Sequence, residues 1–240
     1  MYILEANTGA GKSTFLKLLE KHNSTILAGY EPVADWQKPV DGQSILTNFF
    51  ADPQRWAYPM ETYAMLSRVR QHMIDQENDH PKRIIERSIY SGHYCFALNS
   101  YKSGFMNALE WSMYCSWFNF LIPGKCKPPR GFIYLRTDPK VALARVKKRA
   151  RSGELIELDY LENLHDYHER FLMRKEDILP ELKNVPVLVL EINQDFENNP
   201  DYFATLATQV EEFLERTTLS SSTCTSELSG CSNTVFCKPE

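Results

Sequence analysis

The chain has 240 residues, a formal net charge of −4, 43% apolar and 24% charged residues, the balance of an ordinary globular protein with length enough for a buried core. That charge argues against a bulk polyanion such as duplex DNA as partner, and no apolar run reaches membrane-spanning length. The first strand begins almost at Met1, which leaves no room for a leader peptide and makes the cytosol the expected compartment.

In chain order, the first element is an apolar run (Tyr2-Ile3-Leu4) that enters the small-residue turn Ala6-Asn7-Thr8-Gly9-Ala10-Gly11, followed by Lys12-Ser13-Thr14 and a helical pattern with Phe15, Leu16, Leu18 and Leu19. Strand, small-residue loop, Lys-Ser/Thr and helix is the context of a phosphate-binding P-loop. Residues Asn7 to Thr14 are then the phosphate cradle: backbone N–H groups converge on an anion, the helix dipole favours it, Lys12 adds a charge, and Ser13 offers a hydroxyl to Mg²⁺. Ala6 stands where the motif has its first Gly, and its Cβ fits only with negative φ.

Apolar, β-rich runs near 2–5, 25–28, 83–86, 132–135 and 187–192 read as buried strands with helical patterns between most of them. The alternation predicts an α/β fold: a five-stranded parallel sheet flanked by helices on both faces, with ligands beyond the carboxyl ends of the strands. Glu5, Glu31, Glu86-Arg87-Ser88 and Arg136 all fall at that edge. Segments 44–50 and 59–72 read as helices, 71–82 as a solvated polar loop, and 91–120 as an aromatic-rich helix pair that suits a homodimer interface, the preferred reading, as well as a core. Segment 141–151 is a basic helix broken by Gly153, 160–175 is amphipathic, and 201–216 closes the domain. From 217 to 240 the Ser/Thr-rich sequence loses periodicity and reads as a disordered tail. The six cysteines lack C-x-x-C spacing, so Cys95, Cys115 and Cys126 are expected as buried thiols in a reducing compartment, while Cys224, Cys231 and Cys237 fit no common zinc pattern.

A carboxylate fixed by proline (Glu31-Pro32) and an acid–guanidinium pair (Glu86-Arg87) beside a P-loop suit transfer of a phosphoryl group to a hydroxyl: the carboxylate takes the proton and the Arg fork holds carboxylate and hydroxyl together. The motifs A-N-T-G-A-G-K-S-T, E-P-V-A-D-W, D-P-Q-R-W-A-Y-P-M-E-T-Y, E-R-S-I-Y-S-G-H-Y-C-F, Y-L-R-T-D-P, R-A-R-S-G-E and L-H-D-Y-H-E, in this order over residues 1 to about 175, resemble the deoxynucleoside kinase family. The resemblance implies a P-loop kinase fold, ATP and Mg²⁺, and transfer to the 5′-hydroxyl of a deoxynucleoside. It makes Glu31 the general base, Arg87 its support, and Glu86 with Ser13 the metal holders. It also implies a lid near 145–158 whose Arg145, Arg149 and Arg151 close over the phosphates. Glu154 matches the residue that binds the sugar 3′-hydroxyl, and Trp36, Met60 and Phe96 belong to the base pocket.

Beyond Ala6, three positions depart from the family. Phe50 stands where relatives have a tyrosine that bonds the 3′-hydroxyl, which predicts weaker substrate binding. Glu61 replaces a glutamine that reads the base edge, and Gly92 replaces the aspartate that anchors the arginine matched by Arg68. These changes suggest that Glu61 becomes the ionic partner of Arg68, that Gly92 leaves room for a larger base, and that a purine is favoured, guanine first, cytosine next and thymine least. Two alternatives stay open: a kinase for another acceptor such as a nucleoside monophosphate, and a non-catalytic structural member like the family's accessory subunit of respiratory complex I. The retained Lys12, Ser13, Glu31, Glu86 and Arg87 favour catalysis. His165-x-x-His168 could bind a metal, but no further ligands complete a site, and a packing or surface role is expected.

Overall fold

The computed structural model describes residues 1–78, 80–150 and 156–221. Five strands form one parallel sheet in the order β2-β3-β1-β4-β5, with β1 Tyr2–Ala6, β2 Leu27–Gly29, β3 Arg83–Glu86, β4 Phe132–Arg136 and β5 Val187–Glu191. Each lies within a residue or two of its predicted run. β1 is central because alternate side chains feed two cores. Tyr2, Leu4 and Ala6 pack against α1 (Lys12–His22) and the last helix, α10 (Pro200–Ser221). Ile3 faces the opposite layer, built largely from α4 (Pro53–Glu77), α5 (Ile89–Ser91), α6 (Leu98–Lys102), α7 (Ala108–Leu121) and α9 (Leu158–His168). Short helices α2 (Val33–Gln37) and α3 (Ile45–Ala51) follow β2, and α8 (Pro139–Arg149) follows β4. Helices on both faces of an all-parallel sheet are the predicted architecture.

Three expectations change. The helix predicted to begin at Pro59 begins at Pro53, capped by Asp52, whose side chain accepts from the Arg55 N–H; Pro59 sits inside it. As far as Glu77 the 71–82 stretch is not a solvated loop, because α4 continues to that residue. Its polar residues find protein partners: Gln71 donates to Asp75 at 3.1 Å, Asp75 pairs with Arg83, His72 bonds the Lys127 carbonyl at 2.9 Å, and Gln76 bridges Lys125 and Lys127 at 2.8 Å. Finally, α10 runs past the expected boundary at 217 to Ser221. The Tyr2 hydroxyl meets the Leu214 carbonyl at 3.1 Å and the Thr217 hydroxyl at 2.7 Å, so the helix end is tied to β1. The rest of the predicted tail, with its three cysteines, lies outside the described residues.

In the 91–120 region, a capping box of Asn107 and Glu110 starts α7, and a π-helical turn, Gly92–Ala97, links α5 to α6. Cys95, Cys115 and Cys126 are buried, as expected. His168 is fully buried, stacks on Tyr134, and its Nδ1 bonds the Leu164 carbonyl, which is the packing role expected for it.

Candidate active site

The P-loop follows from where positive φ is needed. Ala6 ends β1 as ordinary extended chain, so its Cβ meets no backbone obstacle, and the left-handed positions are Gly9 (φ 84°) and Gly11 (φ 94°). A Cβ on Gly9 would lie 2.5 Å from the Ala142 carbonyl oxygen, so the loop packs directly on α8. The Asn7 side chain accepts from Thr8 N–H and donates to the Leu161 carbonyl, each at 2.8 Å. It therefore braces the loop against α9 while the loop backbone faces the cavity. Gly11 precedes α1, so Lys12, Ser13 and Thr14 form its first turn, where free N–H groups and the dipole favour an anion. Burial, with Arg87 beside it, lowers the Lys12 ammonium to about 8.

After β3 three consecutive side chains diverge. The Glu86 carboxylate accepts from the Ser13 hydroxyl with both oxygens at 2.9 Å. Arg87 turns to Glu31, and Ser88 bonds the buried Glu5. Arg87 achieves this in the left-handed region, at φ 62°, a conformation that costs a non-glycine residue about 1–2 kcal/mol. Its N–H still bonds the Leu4 carbonyl at 2.9 Å, so the twist comes as β3 leaves the sheet. Buried Arg87 Nη1 has no hydrogen-bond partner among the described residues.

Glu31, just beyond β2, is the electrostatic centre. Arg68 donates to Oε1 through Nε (3.0 Å) and Nη2 (2.6 Å), and Arg87 Nε approaches Oε2 at 3.4 Å. Burial alone would raise the Glu31 carboxyl, but Arg68, then Arg87 and Lys12, outweigh it and hold it at about 2. Phe96 lies beneath both guanidiniums, 4.2 Å from Arg87 Cζ and 6.0 Å from Arg68 Cζ, and Trp36 flanks Arg68 at 5.1 Å.

The expected Glu61–Arg68 ion pair is therefore not formed: Arg68 belongs to Glu31. Without a side chain at Gly92, Arg68 Nη1 lies 2.7 Å from where a Cβ would stand, and the guanidinium fills the space that was expected to admit a larger base. Glu61 instead accepts from the Ser100 hydroxyl at 3.1 Å, and burial lifts its carboxyl to about 7 against the pull of Arg68.

One cavity of about 680 Å³ joins these groups. Thr8, Gly9, Gly11, Lys12, Ser13, Thr14, Glu86, Arg145 and Arg149 line its phosphate end. Glu31 and Arg87 lie between that end and a wall containing Trp36, Phe50, Met60, Glu61, Arg68 and Phe96. Arg145 is anchored by the Ala10 carbonyl at 3.2 Å and the Gln194 carbonyl at 2.8 Å. Arg151 and Glu154 lie outside the described residues. Asn7, Ala10 and Gly92 support the lining without being part of it. Arg136, at the same sheet edge, is committed to Glu169 (2.7 Å) and Glu191 (3.0 Å) and does not line the cavity. Leu46, Phe49, Ala64, Tyr160 and Phe196 also line it, and sequence reasoning treated them as core or left them unassigned. Phe196 follows β5 at the ligand-bearing edge, a position the topology alone could have nominated.

Ser13 and Glu86 fit one Mg²⁺: a carboxylate and a hydroxyl at the phosphate end are hard oxygen donors, and such an ion ordinarily completes its shell with phosphate oxygens and water. No cluster of three metal-ligating acids, histidines or cysteines occurs among the described residues.

The family model described as deoxynucleoside kinase matches residues 3–215. The chain is 38% identical to deoxycytidine kinase 2 of Gallus gallus over 235 residues, covering 88% of this chain and 89% of the relative. It is 34% identical to the mitochondrial deoxyguanosine kinase of Xenopus laevis over 236 residues, covering 88% of each chain. Identity to deoxycytidine kinase of Homo sapiens is also 34%, over 235 residues that cover 88% of this chain and 89% of the relative.

Proposed function

This chain belongs to the deoxynucleoside kinase family, and from that premise we propose that it transfers the γ-phosphoryl group of ATP to the 5′-hydroxyl of a deoxynucleoside, a step of nucleotide salvage. The observation that carries the reading is the cluster of Lys12, Glu31, Arg87 and the Ser13–Glu86 pair along one wall of a single cavity. Glu31, ionised far below neutral pH, accepts the hydroxyl proton as the oxygen attacks phosphorus and the bond to the ADP leaving group breaks. Arg87 holds the carboxylate, and its unpaired Nη1 is a donor for the reacting oxygen. Lys12, the loop N–H groups, Arg145 and Arg149 offset charge on the phosphates, with Arg151 assigned to the same lid. Ser13 and Glu86 would hold Mg²⁺, which would supply charge neutralisation at the phosphates. Glu154 is assigned to the sugar 3′-hydroxyl, and Trp36, Phe50, Met60, Glu61 and Phe96 to the nucleoside walls.

For the base, guanine remains first. With Arg68 engaged by Glu31, this preference rests on Glu61, whose carboxylate can accept from the adjacent N1–H and N2–H donors of guanine. Cytosine is the second reading, favoured by the several relatives that are deoxycytidine kinases. Competition among the four deoxynucleosides for limiting enzyme tests the order: deoxyguanosine should dominate, and thymidine as best acceptor contradicts it. No helix among the described residues is long and apolar enough to cross a membrane, and a cytoplasmic location is part of this proposal. So is a homodimer: α7 carries outward Leu109, Met113, Trp117 and Phe120, and the adjoining α4 carries exposed Tyr63, Leu66, Met73 and Ile74.

A further inference from the structure

Arg68 stands between the two jobs of the cavity. It leaves α4 among base-pocket residues, between Trp36 and Phe96, yet it donates two hydrogen bonds to one oxygen of Glu31. Gly92 permits this by offering neither a carboxylate anchor nor a Cβ in the path of Nη1. Oε1 of Glu31 is thereby occupied, and Oε2, with only the long 3.4 Å contact to Arg87, is the oxygen available to a hydroxyl.

We propose that Arg68 is a positioning residue that couples the nucleobase to the catalytic carboxylate, so that discrimination among bases is expressed in turnover as well as in binding. A base edge that accepts a hydrogen bond, such as guanine O6 or N7, competes with Glu31 for the same guanidinium donors. Each hydrogen bond that Arg68 gives to the base is one withdrawn from Glu31, which makes that carboxylate more basic. A base without a suitable acceptor leaves the grip intact and Glu31 a poorer proton acceptor. The charged and titratable groups facing Glu31 are Arg68 and Glu61 from α4, Arg87 after β3 and Lys12 from the P-loop, so Arg68 is the partner that reaches both ends. The coupling rests on the reading of Glu31 as proton acceptor.

The test uses Gly92→Asp, which offers Arg68 an anchor away from Glu31, and Arg68→Met, which removes the fork. At Gly92 the contact to be relieved is only the end of the flexible Arg68 side chain, and Arg68→Met gives a second route if Gly92→Asp folds poorly. Two quantities are measured: kcat and KM separately for the four deoxynucleosides, and the Glu31 carboxyl titration by ¹³C NMR, assigned by its loss in Glu31→Gln. The proposal predicts that the spread of kcat among bases shrinks about tenfold in both variants, while the Glu31 midpoint rises by about one to three pH units. An unchanged kcat spread or an unmoved midpoint overturns it. Undiminished transfer by Glu31→Gln overturns instead the assignment of Glu31 as base, which distinguishes the two failures.

Discussion

Glu31 and Glu61 are two carboxyls that both feel the charge of Arg68, and their environments push them apart. Glu31 is held at about 2 by the cations around it, whereas Glu61 is lifted by burial to about 7, so one is fixed as an anion and the other titrates near neutrality. Because Glu61 binds its proton more tightly in the folded chain than its ordinary 4.5 allows when unfolded, its contribution to stability falls as pH rises between about 4.5 and about 7. Buried His72 and His168, lowered to about 4 and about 3, add stability as pH rises towards 6.5, so the Glu61 contribution is read by difference. In thermal melts from about pH 5 to about pH 8 the Tm of Glu61→Gln should gain on the wild type as pH rises; parallel profiles contradict the assignment. Phe50 gives a second expectation. Phe50→Tyr restores a hydroxyl in the cavity wall, and one added hydrogen bond should lower KM for the nucleoside by about two- to tenfold. A KM that stays the same or rises would show that the sugar does not approach Phe50.

At the scale of elements, the phosphate loop depends on two left-handed glycines and on the close seat of Gly9 against α8. Gly9→Ala adds strain of about 1–3 kcal/mol on top of a 2.5 Å clash with the Ala142 carbonyl. Calorimetry should show a Tm lower by about 2–4 °C for each kcal/mol, accompanied by weaker ATP binding. Ala6→Gly, by contrast, should leave ATP binding within about twofold, since that position is ordinary β-strand. The strands were legible because short apolar runs in an α/β pattern have one stable use, and the loop because Gly11-Lys12-Ser13 carries its own mechanism. α4 was misread at both ends for an identifiable reason. Pro59 resembles a first-turn proline, and the polar residues after Gln71 resemble a solvated loop until their partners Arg83, Lys125 and Lys127 are brought beside them. Arg68 was hidden in the same way. Its residue type announced an ionic partner, but only the bare backbone at Gly92 decided that the partner is Glu31.

For the whole molecule, α7 carries an outward apolar stripe of Leu109, Met113, Trp117 and Phe120. Leu109 and Phe120 are 71% and 63% exposed, more than the other residues of the stripe. Trp117→Glu together with Phe120→Glu should convert a dimer to a monomer in sedimentation velocity, with the fold retained by circular dichroism. A wild type that sediments as a monomer contradicts the dimer. The central claim is tested most directly by measuring γ-phosphate transfer from ATP–Mg²⁺ to the four deoxynucleosides, for the wild type and for Glu31→Gln. The account predicts a 5′-monophosphate product and a loss of about 10²- to 10⁴-fold in the variant. No transfer to any of the four by the folded wild type, or transfer that survives Glu31→Gln undiminished, would contradict it.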